Sequence, residues 1–252
     1  MPRFPLNRLR IPAIVLIALA VPVFLITTNL GVVINSGWLY TYGFNQYDIS
    51  QRTGIEKQEL TRVAKEIKRY FASSEEPLAV RAVVYGEERD LFTEREVLHM
   101  ADVKGLVRGV GTLQMVSLFT MFGAALSLIL LAPRRTALSG IGTGLFGGSM
   151  LTFGIMIALG LGSMVGFERL FEQFHFISFS NDLWRLSSRD YLILIFPEEF
   201  FRDATLITAG LTLGQAALTA ATVMVVRRAT NKRDEARMRV AHAHVETGVS
   251  VG

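Results

Sequence analysis

Residues 11–34, IPAIVLIALAVPVFLITTNLGVVI, decide the fold class because this stretch contains no charged residue. Three more uncharged runs follow it along the chain, at 109–132, 136–167 and 204–226. Each run is longer than the ~20 residues with which a helix crosses ~30 Å of hydrocarbon. The sequence therefore predicts an α-helical polytopic membrane protein with four transmembrane helices.

The runs divide the chain into spans, two long loops and short or basic connections. We expect the two long loops to fold together as a small, mainly α-helical extracytoplasmic domain. The predicted segments are 1–34 (N-terminus and first span), 35–108 (first outer loop), 109–132 (second span), 133–137 (cytoplasmic turn), 138–166 (third span), 167–203 (second outer loop), 204–226 (fourth span) and 227–252 (basic tail, predicted to be disordered).

Lys and Arg are distributed unequally between the two sides of this topology. Residues 1–10, 133–135 and 227–252 together carry 11 basic and 3 acidic residues, whereas the two long loops carry a net negative charge. Since basic segments stay in the cytoplasm, both termini are predicted to be cytoplasmic, with the loops on the outer face of the cell membrane. This asymmetry accounts for the net charge of +4 without a nucleic-acid partner, and membrane lipid is the expected contact of the basic tail.

Local motifs predict the elements within the loops and the packing of the third span. Two capping boxes, Thr53-x-x-Glu56 and Thr93-x-x-Glu96, predict a helix to about Ala72 and a helix that runs towards the second span. Residues 78–85 (LAVRAVVY) predict a strand, and residues 190–196 a short helix or strand. Gly-x-x-x-Gly spacings at 140–148 and 162–166 favour close helix packing, with a groove for an acyl chain as the alternative.

His99 and His175 are the candidate catalytic residues, because they are the only histidines in the two outer loops. Each lies beside a predicted span, and imidazole can take or give a proton near neutral pH. A lone histidine in an apolar stretch is usually structural, but a pair at one membrane surface favours acid–base chemistry. We therefore predict that the two rings lie within ~10 Å of each other.

Three carboxylates are candidates to orient these imidazoles, as in a catalytic triad: Asp102, Asp182 and Asp190. Asp102 is preferred because it lies three residues after His99 and shares its helical face.

Other chemistries have weaker support in the sequence. Cysteine is absent, which excludes disulfides and thiolate catalysis. Two histidines with a carboxylate can bind zinc, but no H-x-x-x-H spacing is present. The serines near His175 lie in no G-x-S-x-G elbow and fit turns better. No cofactor and no metal are predicted.

Two passages carry a resemblance to a known family. They are EREVLHMADVK at 94–104 and FHFISFSNDLWRL at 174–186, the second continuing with DYLI at 190–193 and FPEEFF at 196–201. Together they resemble the signature of the lipoprotein intramolecular transacylase family of bacterial four-span membrane proteins. The resemblance in topology covers nearly the whole chain.

The resemblance implies an acyltransferase with a diacylated lipoprotein as substrate. Members of that family move the sn-2 acyl chain of the diacylglyceryl-cysteine to the α-amino group of the same cysteine, which gives the lyso form. Their two functional histidines correspond to His99 and His175. One imidazole would accept the amine proton and the other would stabilise the oxyanion or protonate the leaving oxygen, in either assignment. An acyl-imidazole route stays open, and Asn181 and Trp184 are expected to line the site.

Two other functions remain compatible with the sequence. The chain could be a non-catalytic membrane protein whose outer domain binds lipid or peptide. It could also be a lipid hydrolase that uses the same histidine pair with water as the acceptor.

Overall fold

A computed structural model describes residues 7–74 and 76–248 of the chain. Within these residues the fold is mainly helical, with one small sheet. The elements in chain order are α1 (Asn7–Asn35), α2 (Gly37–Gln46), α3 (Ile49–Thr53), α4 (Lys57–Ala72), β1 (Arg81–Val84), β2 (Glu87–Asp90), α5 (Glu94–Leu131), α6 (Arg134–Ser178), α7 (Tyr191–Ile195) and α8 (Glu198–Gly248).

Four helices, α1, α5, α6 and α8, are long and apolar enough to cross a membrane. This confirms the predicted α-helical membrane protein with four transmembrane helices. Three of these helices, α5, α6 and α8, extend well beyond the uncharged runs that revealed them. Helix α5 begins at Glu94, far ahead of the run that starts at residue 109, and therefore carries His99 on its first turns.

Helix α8 continues as far as Gly248, through the basic tail for which the sequence predicts disorder. Residues 227–247 contain neither Gly nor Pro and are rich in Ala and Arg, which have high helix propensity. Arg135 also pairs with Asp234 at 2.7 Å. The part of the predicted disordered tail at 249–252 lies outside the described residues.

The chain packs as two compact units. In the unit formed by residues 7–22, 119–153 and 214–248, glycines bring α6 close to α1. A Cβ atom added at Gly144 would lie 2.8 Å from the Ile17 side chain, and one added at Gly148 would lie 2.6 Å from α1. At Gly162 and Gly166, no described residue lies within 4 Å of an added Cβ. Helix packing is thus confirmed for the first glycine series and not for the second.

The other unit contains residues 23–74, 76–118 and 154–213. Both long loops contribute to its apolar core, which confirms that they fold together. We refer to this folded region as the loop domain. Its fully or almost fully buried apolar side chains include Ile49, Ile55, Leu60, Val63, Ile67, Ala82 and Ile195.

The amphipathic helix α4 forms where predicted, but its capping box does not. The Thr53 hydroxyl donates to the Ile49 carbonyl oxygen at 2.7 Å, so it closes α3 instead of capping α4. Gly54 then takes a positive φ of 71°, which ends α3. Of the strand predicted at 78–85, only Arg81–Val84 form β1. This strand pairs antiparallel with β2, and a two-residue turn at Tyr85 and Gly86 joins the two.

Candidate active site

The two candidate histidines lie side by side although 75 residues separate them in sequence. Their ring centroids are 6.1 Å apart, with an angle of 32° between the ring planes. Both side chains are buried, His99 at 7% exposure and His175 at 9%. The predicted separation of less than ~10 Å is therefore confirmed.

The start of α5 holds His99 in place. Glu96 Oε2 accepts hydrogen bonds from the Thr93 backbone N–H at 2.7 Å and the Thr93 hydroxyl at 2.8 Å, so this predicted capping box is confirmed. The other oxygen, Oε1, accepts from the backbone N–H of Leu192 in α7 at 2.7 Å. Because Glu96 is completely buried and only three residues before His99, it fixes the first turn of α5 against the second loop.

A second buried charge holds α5 on the other side of His99. The Lys104 side chain is 1% exposed, and its Nζ lies 3.2 Å from Glu76 Oε1. The same ammonium group lies 3.9 Å from the centroid of the Tyr70 ring, a cation–π contact. Buried lysines need such partners, and these lie in the loop domain. Helix α5 is therefore attached to the loop domain both before and after His99.

His175 lies on the last part of α6, beyond a break in the helix. Gly166 leaves the helical conformation, with φ 166° and ψ 98°, and the chain then resumes a helical path to Ser178. His175 Nδ1 lies 2.7 Å from the Phe171 carbonyl oxygen. Since a carbonyl oxygen can only accept, Nδ1 carries the hydrogen. In the neutral ring, Nε2 therefore holds the basic lone pair.

Aromatic rings enclose the histidine pair. Phe179 contacts both imidazoles, with centroid distances of 5.2 Å to His99 and 5.6 Å to His175. Phe171 and Trp184 lie 4.5 Å and 5.0 Å from His175. This burial lowers the pKa of His175, and the hydrogen bond to Phe171 partly opposes the shift. The arrangement favours a neutral His175 that can act as a base.

The predicted orienting carboxylates do not bond to the imidazoles. Asp102 Oδ2 instead accepts from Asn181 Nδ2 at 2.8 Å. His99 Nδ1 is buried and has no hydrogen-bond partner in the described part of the chain. A carboxylate three residues along a helix shares a face, but this one turns towards the opposite loop because Asn181 offers it a donor there.

The two other candidate carboxylates also have partners elsewhere. Asp182 forms an ion pair with Arg185 at 3.1 Å, and Asp190 Oδ2 accepts from the Ser187 backbone N–H at 2.7 Å. Asp190 therefore closes a turn ahead of α7. Among residues 7–74 and 76–248, no group of three His, Asp or Glu side chains is arranged to hold a metal ion.

Comparison with known proteins gives the family. The model of the family described as "Lipoprotein intramolecular transacylase Lit" matches residues 15–201, which include both histidines and most of the loop domain. The chain belongs to the lipoprotein intramolecular transacylase (Lit) family.

Individual relatives agree with membership of the Lit family. An uncharacterized protein of Aquifex aeolicus (strain VF5) is 30% identical over 164 residues, which are 64% of this chain and 69% of that protein. The in meso structure of the membrane integral transacylase Lit from Bacillus cereus matches 90% of this chain and 99% of its own, with a TM-score of 0.75 and 20% identity. A variant of that protein with a histidine replaced by alanine gives a TM-score of 0.72 at 19% identity, covering 90% and 97% of the two chains.

Several side chains around the histidine pair have no role in a site predicted from the sequence. Phe171 and Phe179 lie four residues before and after His175, a spacing that places them beside it on one helical face and could have identified them. Lys104 lies in the 94–104 passage, where no local pattern indicates a role for it. Glu96 was predicted only as a cap, because its bond to Leu192 joins parts of the chain that no local pattern connects.

Proposed function

We propose that this chain transfers the sn-2 acyl chain of a diacylglyceryl-cysteine lipoprotein to the α-amino group of the same cysteine. The observation that carries the proposal is the buried pair of His99 and His175, with ring centroids 6.1 Å apart, in a chain of the Lit family. Donor ester and acceptor amine belong to one molecule. Holding them in a reactive geometry can therefore supply much of the rate.

We assign His175 as the general base. Its Nδ1–H is committed to the Phe171 carbonyl, so Nε2 is the nitrogen that can remove a proton from the attacking amine. The α-amino group titrates near pH ~8, so a fraction is already neutral at physiological pH. The hydrogen bond to the carbonyl therefore fixes the tautomer of His175, as the carboxylate does for the histidine of a Ser-His-Asp triad.

We assign His99 as the group that acts on the developing oxyanion and the leaving oxygen. As the amine nitrogen attacks the ester carbonyl, a C–N bond forms and the carbonyl oxygen becomes negative. Collapse of this intermediate breaks the bond to the sn-2 oxygen, which takes up the proton that His175 removed from the amine and becomes a hydroxyl group. His99 Nδ1, buried and without a partner among the described residues, can satisfy its hydrogen-bonding capacity on such a group.

The closeness of the rings favours one positive charge shared by the pair. Two imidazolium ions at 6.1 Å would repel each other by about 3 kcal/mol at an effective dielectric constant of about 20. His175 should therefore pass the proton that it takes from the amine to the sn-2 oxygen before His99 takes up a proton of its own. Direct transfer needs neither ring as a nucleophile, whereas a route through an acyl-imidazole needs one.

The surroundings of the pair favour transfer to an amine over hydrolysis. Aromatic rings of Phe171, Phe179 and Trp184 pack on the imidazoles and limit access of water. The side chains of Phe174, Phe176 and Ile177 next to His175 are 46%, 48% and 84% exposed, which suits contact with lipid. We place this face on the outer side of the cell membrane, with both termini in the cytoplasm, as the distribution of basic residues suggests.

The test is co-expression of the chain in a bacterium that makes only diacylated lipoprotein, followed by tandem mass spectrometry of the lipoprotein N-terminal peptide. Substrate and product are isomers, so fragmentation and not the intact mass identifies the N-acyl form. We expect N-acyl-S-monoacylglyceryl-cysteine with the unmodified chain and only the diacylglyceryl form with His99→Ala or His175→Ala.

Controls separate the remaining functions. Release of free fatty acid without N-acylation would identify a hydrolase. Unchanged diacylglyceryl peptide, with the chain verified in the membrane, would contradict the transacylase proposal and favour a binding protein.

A further inference from the structure

Asp102 joins the two segments that carry the histidines. It lies on α5 three residues after His99, and its partner Asn181 lies six residues after His175. The Asn181 amide is itself oriented, because its Oδ1 accepts from the Leu183 backbone N–H at 2.9 Å. This leaves Nδ2 to donate to Asp102 Oδ2 at 2.8 Å. The carboxylate is thus held in a defined position next to the histidine pair.

The Asp102 carboxylate forms no ion pair with any described residue, although arginines lie nearby in the fold. Arg185 pairs with the Asp182 carboxylate at 3.1 Å, and Arg95 donates to the Asp182 backbone carbonyl. Asn181 occupies one carboxylate oxygen of Asp102 with a neutral donor and supplies no positive charge. The Asp102 carboxylate therefore has no cationic partner among the described residues, and it lies one helical turn from His99.

A small cation is the ligand that such a carboxylate fits, and the proposed substrate brings one. The α-amino group of a lipoprotein cysteine is mostly protonated at neutral pH. A divalent metal ion fits less well, because it needs several oxygen ligands and no group of three candidate ligands exists among the described residues. Asp102 follows His99 by three residues on α5, so a cation held there lies one helical turn from the ring that acts on the ester.

We propose that the Asp102 carboxylate, positioned by Asn181, binds the α-ammonium group of the diacylglyceryl-cysteine and selects substrates with a free N-terminus. This inference rests on the proposed function and adds the group that recognises the acceptor. It places the nitrogen within one helical turn of His99 before a proton is removed. Charge-assisted hydrogen bonds of this kind contribute more than neutral ones.

The same contact favours release of the product. The product nitrogen is an amide, which carries no positive charge and cannot form the ion pair with Asp102. Acyl transfer therefore weakens binding at the moment it is complete, and the lyso lipoprotein leaves more readily than the substrate. Lipoproteins already acylated on nitrogen are excluded from the site for the same reason.

The test is the affinity of the full-length protein, in detergent, for two ether-linked analogues of a diacylglyceryl-cysteine peptide. An ether cannot be transferred, so binding is measured without reaction. One analogue has a free α-amino group and the other is N-acetylated. We expect the unmodified protein to bind the free-amine analogue about tenfold more tightly, the effect of one charge-assisted hydrogen bond.

Two isosteric variants make the result specific. Asp102→Asn keeps an acceptor for Asn181 and should bind both analogues about equally, whereas Asp182→Asn, a carboxylate already paired with Arg185, should keep the preference. The ratio of the two affinities is internal to each protein, so partial loss of folded material does not change it. Equal binding by the unmodified protein, or a preference that survives in Asp102→Asn, would overturn the inference.

The ester-linked peptide tests the proposed function separately. If the protein transfers the acyl chain of this peptide but binds the two ether analogues equally, Asp102 does not have the proposed role and the transacylase proposal stands. A clear preference that Asp102→Asn removes, with no transfer of the ester, would keep the binding site and contradict the transacylase.

Discussion

Replacing Glu96 with Gln should destabilise the protein and slow acyl transfer together. The carboxylate is completely buried and accepts hydrogen bonds at both oxygens, two from Thr93 and one from the Leu192 backbone N–H. Glutamine is the same size but has one acceptor oxygen and one NH2 group. In either orientation of the amide, that NH2 group faces a backbone N–H, which is the buried one of Leu192 or the partly buried one of Thr93, so one donor loses its partner.

The size of the effect follows from this geometry. A buried donor left without an acceptor costs about 1–3 kcal/mol, with the larger values for bonds to charged groups. We therefore expect Glu96→Gln to lower the free energy of unfolding by about 2 kcal/mol. Because His99 follows three residues later on the same helix, its ring should move relative to His175, and small displacements of this kind reduce rates strongly.

The assay is thermal unfolding in detergent together with the initial rate of lipopeptide N-acylation. Glu94→Gln is the matched control, because Glu94 lies in the same first turn, has the same charge and is exposed. It should lose only the small interaction with the helix dipole, about 0.3–1 kcal/mol at most. If Glu96→Gln unfolds and reacts like Glu94→Gln, the proposed attachment of α5 through Glu96 is wrong.

Three further predictions follow from particular contacts. Lys104→Ala should lower the free energy of unfolding by about 2 kcal/mol, measured by thermal unfolding, because it removes a buried methylene stem and the ammonium contact with the Tyr70 ring. Gly148→Leu should destabilise the protein, because even its Cβ lies 2.6 Å from α1, whereas Gly154→Leu, with no described residue within 4 Å of its Cβ, should be tolerated in the same measurement. Burial lowers the pKa of His175, so the unfolded state binds the proton at a higher pH than the folded state does. Stability should therefore be lost as the pH falls below about 6.5. His175→Phe should weaken this dependence in a pH series of unfolding curves.

The membrane topology and the histidine pair could be predicted because their signals are strong and local. An uncharged run long enough to span a bilayer is rare outside transmembrane helices, and all four runs lie in helices that can cross a membrane. The pairing of His99 with His175 was inferred from their shared position beside predicted spans. The capping box at Thr93 was confirmed because the next residues continue as a helix, whereas the one at Thr53 was wrong because Gly54 ends the preceding helix first.

The partners of the charged groups could not be predicted in the same way. Asp102 was assigned to His99 by helical spacing, but the donor it actually binds, Asn181, comes from a loop 79 residues away. Glu96 binds Leu192 across a similar distance in sequence, and Lys104 finds Glu76 and Tyr70 in another part of the loop domain. Periodicity shows which residues share a face, but only the folded chain shows what that face meets.

The most direct test of the central claim is the reaction of purified protein with a diacylglyceryl-cysteine peptide that carries an isotopic label in the sn-2 acyl chain. Tandem mass spectrometry would follow the label from the ester to the α-nitrogen. We predict that the label moves to nitrogen without release of free fatty acid, and that His99→Ala and His175→Ala each abolish this movement in folded protein. Transfer that persists in either folded variant would contradict the assignment of the reaction to this histidine pair.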